Sequence, residues 1–395
     1  MNSQKKCLTK GDFMSNNYPV VLCHGLFGFG PKEMGGLPYW GKAMNVKSPI
    51  PRFQGSVGPI SSAHDRACEL AAQIKGTKTD YGKDHSERNG HEQFSMDYSG
   101  NGFHPEWSEN NPIHLVGHSF GGPTIRTLQY LLSIDYWGWN SNENWVKSIS
   151  GVSAVFNGST LSYLMGASEK TGLVEPGDPT WLFVKGIEIF MSAVGGLFDD
   201  IYDFDLDQWN IGNEESDSLP EFFNKLRESN FFDGKDNIAY DLTLQGMYEQ
   251  NAIQQTFQDT YYFSYVTEQT SAGILTQRHY PDIRMNPFLI PTAAYMGAKK
   301  FDENPVPGYS EFKSEDWWEN DGAVSSFSQE YPKISGNHPV AGEGISSRGS
   351  FEPGKWYYEY LHSVDHMDIV CLPQLNLIGW QKKFYRDLFE RLASL

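Results

Sequence analysis

The chain has 395 residues, long enough for one decorated α/β domain, and 31 Lys plus Arg against 49 Asp plus Glu give a net charge of −18. Such a surface repels polyphosphate and supplies no counterion-release drive, so nucleic acid is excluded as a partner. Four widely spaced cysteines, Cys7, Cys23, Cys68 and Cys371, make neither a disulfide scaffold nor a thiolate zinc site.

In chain order, Met1 to Asn17 carries Lys5, Lys6 and Lys10 without an apolar run behind them, so it reads as a tail rather than an export signal. A first strand runs Pro19 to Cys23 and breaks at His24-Gly25. Lys75 to Asn101 is polar and aperiodic and is expected to be loop-rich. A second strand, Ile113 to Val116, breaks at Gly117. The helix Gly121 to Leu132 follows, with Pro123 in its first turn and Ile125, Leu128 and Leu132 on one face. Val146 to Phe156 reads as another strand. Trp181 to Phe198 is an apolar segment of helix length that suits either a core helix or a lid over a site. No stretch reaches the roughly 18 consecutive apolar residues of a membrane span.

Gly117 to Gly121 reads G-x-S-x-G between a strand and a helix, the arrangement that lifts a serine hydroxyl above a sheet, and it makes Ser119 the candidate nucleophile. In this architecture an acid and then a histidine follow the serine. The histidine candidates are His338, His362 and His366, with His366 preferred. Asp321, in a turn beside Gly322, is the preferred acid, with Asp316 and Asp365 as rivals. An oxyanion hole needs two backbone N–H groups, which Leu26 after the first strand and Phe120 after the nucleophile can supply; His24 reads as a turn residue.

Val20 to Gly30, Val57 to Ser62, Asp65 to Glu69, Asp80 to Gly82, Tyr202 to Trp209, Glu319 to Gly322 and Val364 to His366 together resemble the zinc-containing, thermostable Bacillus-type true lipases. The resemblance runs from about Asn17 to the C-terminus. It implies an α/β-hydrolase fold: a mostly parallel central sheet with helices on both faces, a zinc-binding insertion at about 62–101 plus 220–245, and a lid at about 160–210, after a tail of residues 1–16. It implies the triad Ser119, Asp321 and His366, and an extracellular triacylglycerol lipase acting on lipid or other apolar esters. By the same resemblance a structural zinc is held by Asp65, His85, His91 and Asp241. The family's aromatic before the first ligand is His64 here, a further candidate ligand. The family also binds calcium near the histidine loop. Here only Asp368 matches that ligand set and Arg284 replaces a glycine, so no calcium is expected; either an Arg284–Asp368 ion pair holds the loop instead, or Arg284 points to solvent and packing holds it. An open-cleft esterase or polyester hydrolase is the alternative within enzymes. A non-catalytic binding module of the same fold is the alternative outside them.

Overall fold

The computed structural model describes residues 16–31, 36–174, 204–211, 222, 225–226, 228–370 and 377–395. The Trp181 to Phe198 segment lies outside these residues, as do the N-terminal tail through residue 15 and Cys371. Among the described residues no helix is long and apolar enough to cross a membrane.

Eleven strands can be named among the described residues: β1 (Val20–Cys23), β2 (Arg52–Gly55), β3 (Lys78–Asp80), β4 (Phe94–Asp97), β5 (Ile113–His118), β6 (Val146–Val152), β7 (Tyr261–Glu268), β8 (Thr270–Ala272), β9 (His279–Pro281), β10 (Val340–Glu343) and β11 (Trp356–His362). Seven form one sheet in the order β10-β11-β7-β6-β5-β1-β2, and every pairing in it is parallel. The helices used below are α1 (Ala63–Lys75), α2 (Lys83–Asn89), α3 (Gly121–Ser133), α4 (Ile238–Asp241), α5 (Ile290–Met296) and α6 (Ile378–Ala393).

A parallel sheet must be covered on both faces, and the alternation of side chains along β1 shows how. Val20 and Leu22 pack with Tyr385, Leu388, Phe389 and Leu392 of α6. On the other face Val21 and Cys23 pack with Leu70 and Ile74 of α1 and Ile125 and Leu128 of α3. The chain runs outward from β1 to β2 and later returns to β5 on the other side of β1. This reversal opens a crevice at the carboxyl ends of the strands, where ligands bind in open α/β sheets.

Two local expectations need correction. The Lys75 to Asn101 stretch is not mainly loop: it holds the β3–β4 antiparallel pair and α2. These elements are short and polar, so their order comes from tertiary contact rather than from a hydrophobic period. The strand starting at Val146 ends at Val152, because Ser153 turns the chain with φ of 49°.

Candidate active site and metal centre

Ser119 follows β5 directly, with φ of 54°, the left-handed conformation of a strained elbow. A methyl group on Gly121 would lie 2.1 Å from the Cys23 carbonyl oxygen, so glycine is what lets α3 start tight against β1. The turn after β1 comes equally close: a methyl on Gly25 would lie 2.6 Å from Ser119 Cβ and 3.0 Å from its Oγ. Leu26 therefore belongs to the turn that borders the serine. Among the described residues neither the Leu26 nor the Phe120 N–H has an acceptor, although Phe120 is fully buried. A buried N–H without a partner is rare, and two unpaired N–H groups on the turns that border one hydroxyl are what an oxyanion hole requires.

The turn carrying Leu26 is held from below. Arg66 of α1, fully buried, donates to the His24 carbonyl, to Gly58 O at 2.7 Å and to Thr124 Oγ1 at 3.0 Å. Burial and this guanidinium lower the His24 pKa to about 3, and the neutral ring accepts the Val57 N–H at 3.1 Å. His24 is thus a structural residue of the turn.

Asp321 is fully buried and its carboxylate is closely held. Oδ1 accepts the N–H groups of Ala323 (3.0 Å) and Val324 (2.8 Å), and Oδ2 accepts Thr267 Oγ1 (2.7 Å) and Gln329 Nε2 (3.1 Å). The same Oδ2 lies 2.8 Å from His366 Nδ1. Since the carboxylate can only accept, Nδ1 carries the proton, and Nε2 is left with the lone pair a general base needs. The rivals are placed elsewhere. His362 pairs with Glu268 at 2.7 Å, and His338 meets Thr256 Oγ1 at 2.9 Å.

A second chain of bonds links the three loops. The Gly25 N–H donates to Tyr39 Oη (3.0 Å), Tyr39 Oη lies 2.7 Å from His118 Nδ1, and His118 Nε2 lies 3.2 Å from the His366 carbonyl. Burial, with His366 nearby, keeps the His118 pKa well below the ordinary value, so its ring stays neutral. Sequence reasoning gave no role to Tyr39, His118, Thr267 or Gln329. Only the histidine inside the G-x-S-x-G motif was in view.

Arg284 is exposed and forms no ion pair with a carboxylate of the described residues, so the pair with Asp368 is not present. Asp368 instead turns inward: its Oδ2 accepts the Asp365 N–H at 3.2 Å. Asp365 Oδ1 caps the N–H groups of Met367 (2.9 Å) and Asp368 (3.0 Å), and its Oδ2 accepts the Asn286 N–H at 2.7 Å. Burial and then the Asp368 charge raise the Asp365 pKa to about 7. Asp365 therefore shapes the histidine loop rather than orienting the histidine.

A separate cluster gathers Asp65 of α1, His85 of α2, His91 beyond it and Asp236 just before α4, with one ligand atom from each lying within 4.8 Å of all the others. His85 Nε2 is 3.3 Å from Asp65 Oδ1 and 3.1 Å from Asp236 Oδ2; His91 Nε2 is 3.9 Å and 3.2 Å from the same atoms. A tetrahedron with bonds of about 2.0–2.2 Å has edges of about 3.3–3.6 Å, so the spacing fits a four-coordinate ion. Asp65 Oδ1 and His91 Nε2 are buried without a hydrogen-bond partner. His91 Nδ1 meets Glu92 O at 2.9 Å and carries the proton, which turns the Nε2 lone pair inward. Left to themselves, the two carboxylates overcome the effect of burial and raise the His85 pKa to about 9, so the site calls for positive charge.

The fourth member of the cluster is Asp236, where Asp241 was expected. Asp241 ends α4, and its Oδ2 accepts the Ala63 N–H at 2.7 Å, holding the first turn of α1 from outside the cluster. His64 is not part of the cluster either. It stacks on His85 with ring centroids 3.7 Å apart, and its Nε2 lies 3.0 Å from the Tyr81 carbonyl. It thus packs as an aromatic would. Gln208 steadies Asp65 through a 3.0 Å bond to Oδ2, and Trp209 lies against His91.

A family profile described as "Lipase-like, C-terminal domain" matches residues 16–393. This chain belongs to that lipase-like family. Among its relatives it is 29% identical to Lipase 1 of Staphylococcus aureus over 96% of this chain and 54% of the relative, and 28% identical to a Staphylococcus epidermidis lipase over 90% and 50%. The chain therefore spans about half the length of the curated relatives it matches. Among solved structures it is similar to EstA from Clostridium botulinum (TM-score 0.80, 32% identity, 98% of this chain and 90% of that one). Lipase 1 from Pelosinus fermentans gives a TM-score of 0.76 at 32% identity over 96% and 99%. The Staphylococcus hyicus lipase gives 0.73 at 26% over 98% of both chains. This lipase-like chain thus shares the α/β-hydrolase fold of the family.

Proposed function

We propose that this chain is a serine ester hydrolase of the triacylglycerol lipase type. The observation that carries the reading is Asp321 clamped onto His366 Nδ1, in a loop that also meets the His118 shoulder of the Ser119 elbow. His366 takes the Ser119 proton through Nε2 as Oγ attacks the ester carbonyl, and Asp321 stabilises the imidazolium that forms. The N–H groups of Leu26 and Phe120 receive the oxyanion. His366 then protonates the leaving alcohol, and water enters by the same steps to release the acid and free the serine. Apolar esters suit the cluster that Phe120 shares with Phe27, Val155, Tyr163, Phe204 and Leu206 beside the elbow.

Asp65, His85, His91 and Asp236 would hold a zinc ion. Imidazole with carboxylate suits Zn²⁺, and four protein ligands leave no position for a reacting water, so the ion would be structural. Extracellular action is proposed on the family resemblance.

A fluorophosphonate probe should label Ser119, and Ser119→Ala should abolish both labelling and turnover of p-nitrophenyl esters while the melting temperature holds. Turnover retained by Ser119→Ala would remove the assignment. A chain-length series of esters, with and without emulsion, separates a lipase from an open-cleft esterase.

A further inference from the structure

Large apolar side chains are rarely left in water in groups, yet this chain has a projection that carries several. β8 and β9 pair antiparallel, with Ser271 opposite Tyr280, and Gly273 N–H to Arg278 O at 2.8 Å closes the tip. At that tip Ile274 is 92% and Leu275 96% exposed; just beyond the hairpin Ile283 is 97% exposed. Thr276 Oγ1 lies 3.0 Å from Tyr280 Oη and the Gln277 N–H donates to Gly273 O at 2.9 Å, so the tip is a built turn. Tyr280, Phe288 and Ile290 extend the exposed apolar surface.

Two further observations say what this projection meets. Its charge runs against that of the chain: Arg278 and Arg284 are exposed and form no ion pair among the described residues, and the one carboxylate within residues 269–285, Asp282, is engaged by Ser271 Oγ at 2.7 Å. In a chain of net charge −18, a basic and apolar tip complements a surface that is both anionic and oily. The projection is also tied to the reacting residues. At its base the Gln269 N–H donates to Asn320 O, and the Asn320 N–H donates to Thr270 Oγ1, next to Asp321. Beyond the hairpin, Asn286 bonds Asp365 beside His366, and Thr292 of α5 bonds the Gly322 carbonyl at 2.6 Å.

We propose that the β8–β9 hairpin and the turn after it dock the enzyme on an anionic lipid–water surface, with Ile274, Leu275 and Ile283 entering the acyl layer and Arg278 and Arg284 meeting surface anions. Its purpose rests on the ester-hydrolase reading: the hairpin shares its base with the Asp321 turn, so docking brings the site to the aggregate that holds its substrate.

The test is cosedimentation of the full chain with phosphatidylcholine vesicles, with and without phosphatidylglycerol, alongside turnover of soluble p-nitrophenyl butyrate. The wild type should sediment with vesicles, more strongly with phosphatidylglycerol. I274S/L275S should lower partitioning by about tenfold or more and leave the soluble ester rate unchanged. R278Q/R284Q should lower the phosphatidylglycerol gain by about fivefold per arginine. A wild type that stays in the supernatant, or I274S/L275S sedimenting like wild type, overturns the proposal. So does a dimer in solution that the same variant dissociates, which would assign the surface to a second copy. Sedimentation reads docking and butyrate turnover reads hydrolysis, so the two proposals fail separately.

Discussion

Asp236 and Asp241 stand five positions apart, and replacing each with alanine separates a proposed metal ligand from a helix contact. Asp236→Ala removes one of four ligand atoms from a cluster whose oxygens and nitrogens already stand at tetrahedral spacing. If zinc is present at about a thousand times its dissociation constant, its binding stabilises the fold by about 4 kcal/mol. A 395-residue chain unfolding as one unit has an unfolding entropy of about 0.8 kcal/mol/K, so losing the ion lowers the melting temperature by about 5 °C. Asp241→Ala instead strands the Ala63 N–H that its carboxylate accepts, which costs about 1–3 kcal/mol, or about 1–4 °C. The two shifts lie too close to tell the variants apart, so metal content and chelation decide. Protein purified without chelator should carry one zinc per chain in wild type and Asp241→Ala and none in Asp236→Ala. Chelation should then lower the melting temperature of the first two and leave Asp236→Ala unmoved. Zinc retained by Asp236→Ala and lost by Asp241→Ala would refute the assignment of ligands. Loss of p-nitrophenyl ester turnover before any loss of structure would refute a structural role.

Asp321→Asn should lower kcat by about four orders of magnitude with little change in KM, because an amide in place of Oδ2 no longer holds the His366 proton on Nδ1; a loss under about tenfold in steady-state kinetics would count against the triad. The raised Asp365 pKa sets the sign of a pH effect. The native state keeps a proton that the unfolded chain releases near pH 4, so stability falls as pH rises from about 4 toward about 7, where Asp365 titrates in the fold. Asp368→Asn removes the repelling charge and should flatten that fall in denaturant titrations across this range; an unchanged slope would show that Asp368 is not its source. Added calcium should leave the thermal midpoint where it is, and a calcium-dependent rise would refute the reading that the fold needs no calcium.

The Ser119 elbow of the candidate site was legible because its parts are local. Strand, tight turn and helix occupy one stretch from Ile113 to Ser133, and the strained Ser119 conformation follows from the glycines around it. The polar stretch between β3 and β4 was not legible, since a two-stranded pair and a seven-residue helix there leave no hydrophobic period to read. Nor was the exposure of Ile274, Leu275 and Ile283, because an apolar residue in a sequence does not declare which side of the surface it occupies.

The sequence by itself determined the strand, turn and helix around Ser119 and the family, for these rest on backbone sterics and on motifs of residues adjacent in the chain. Tertiary structure decided what depends on chain closure. Asp236 and Asp241 share one short polar segment, and only the entry of α4 beside α1 turns the first into the cluster and the second onto the Ala63 N–H. The same holds for the bonds from Gly25 through Tyr39 and His118 to the His366 carbonyl, which join loops at the ends of β1, β5 and β11. It holds too for Arg284, for which the family resemblance left both pairing with Asp368 and solvent open and which the fold leaves in solvent. A side chain's direction is fixed by everything packed beneath it, and that information is not carried by neighbours in the chain.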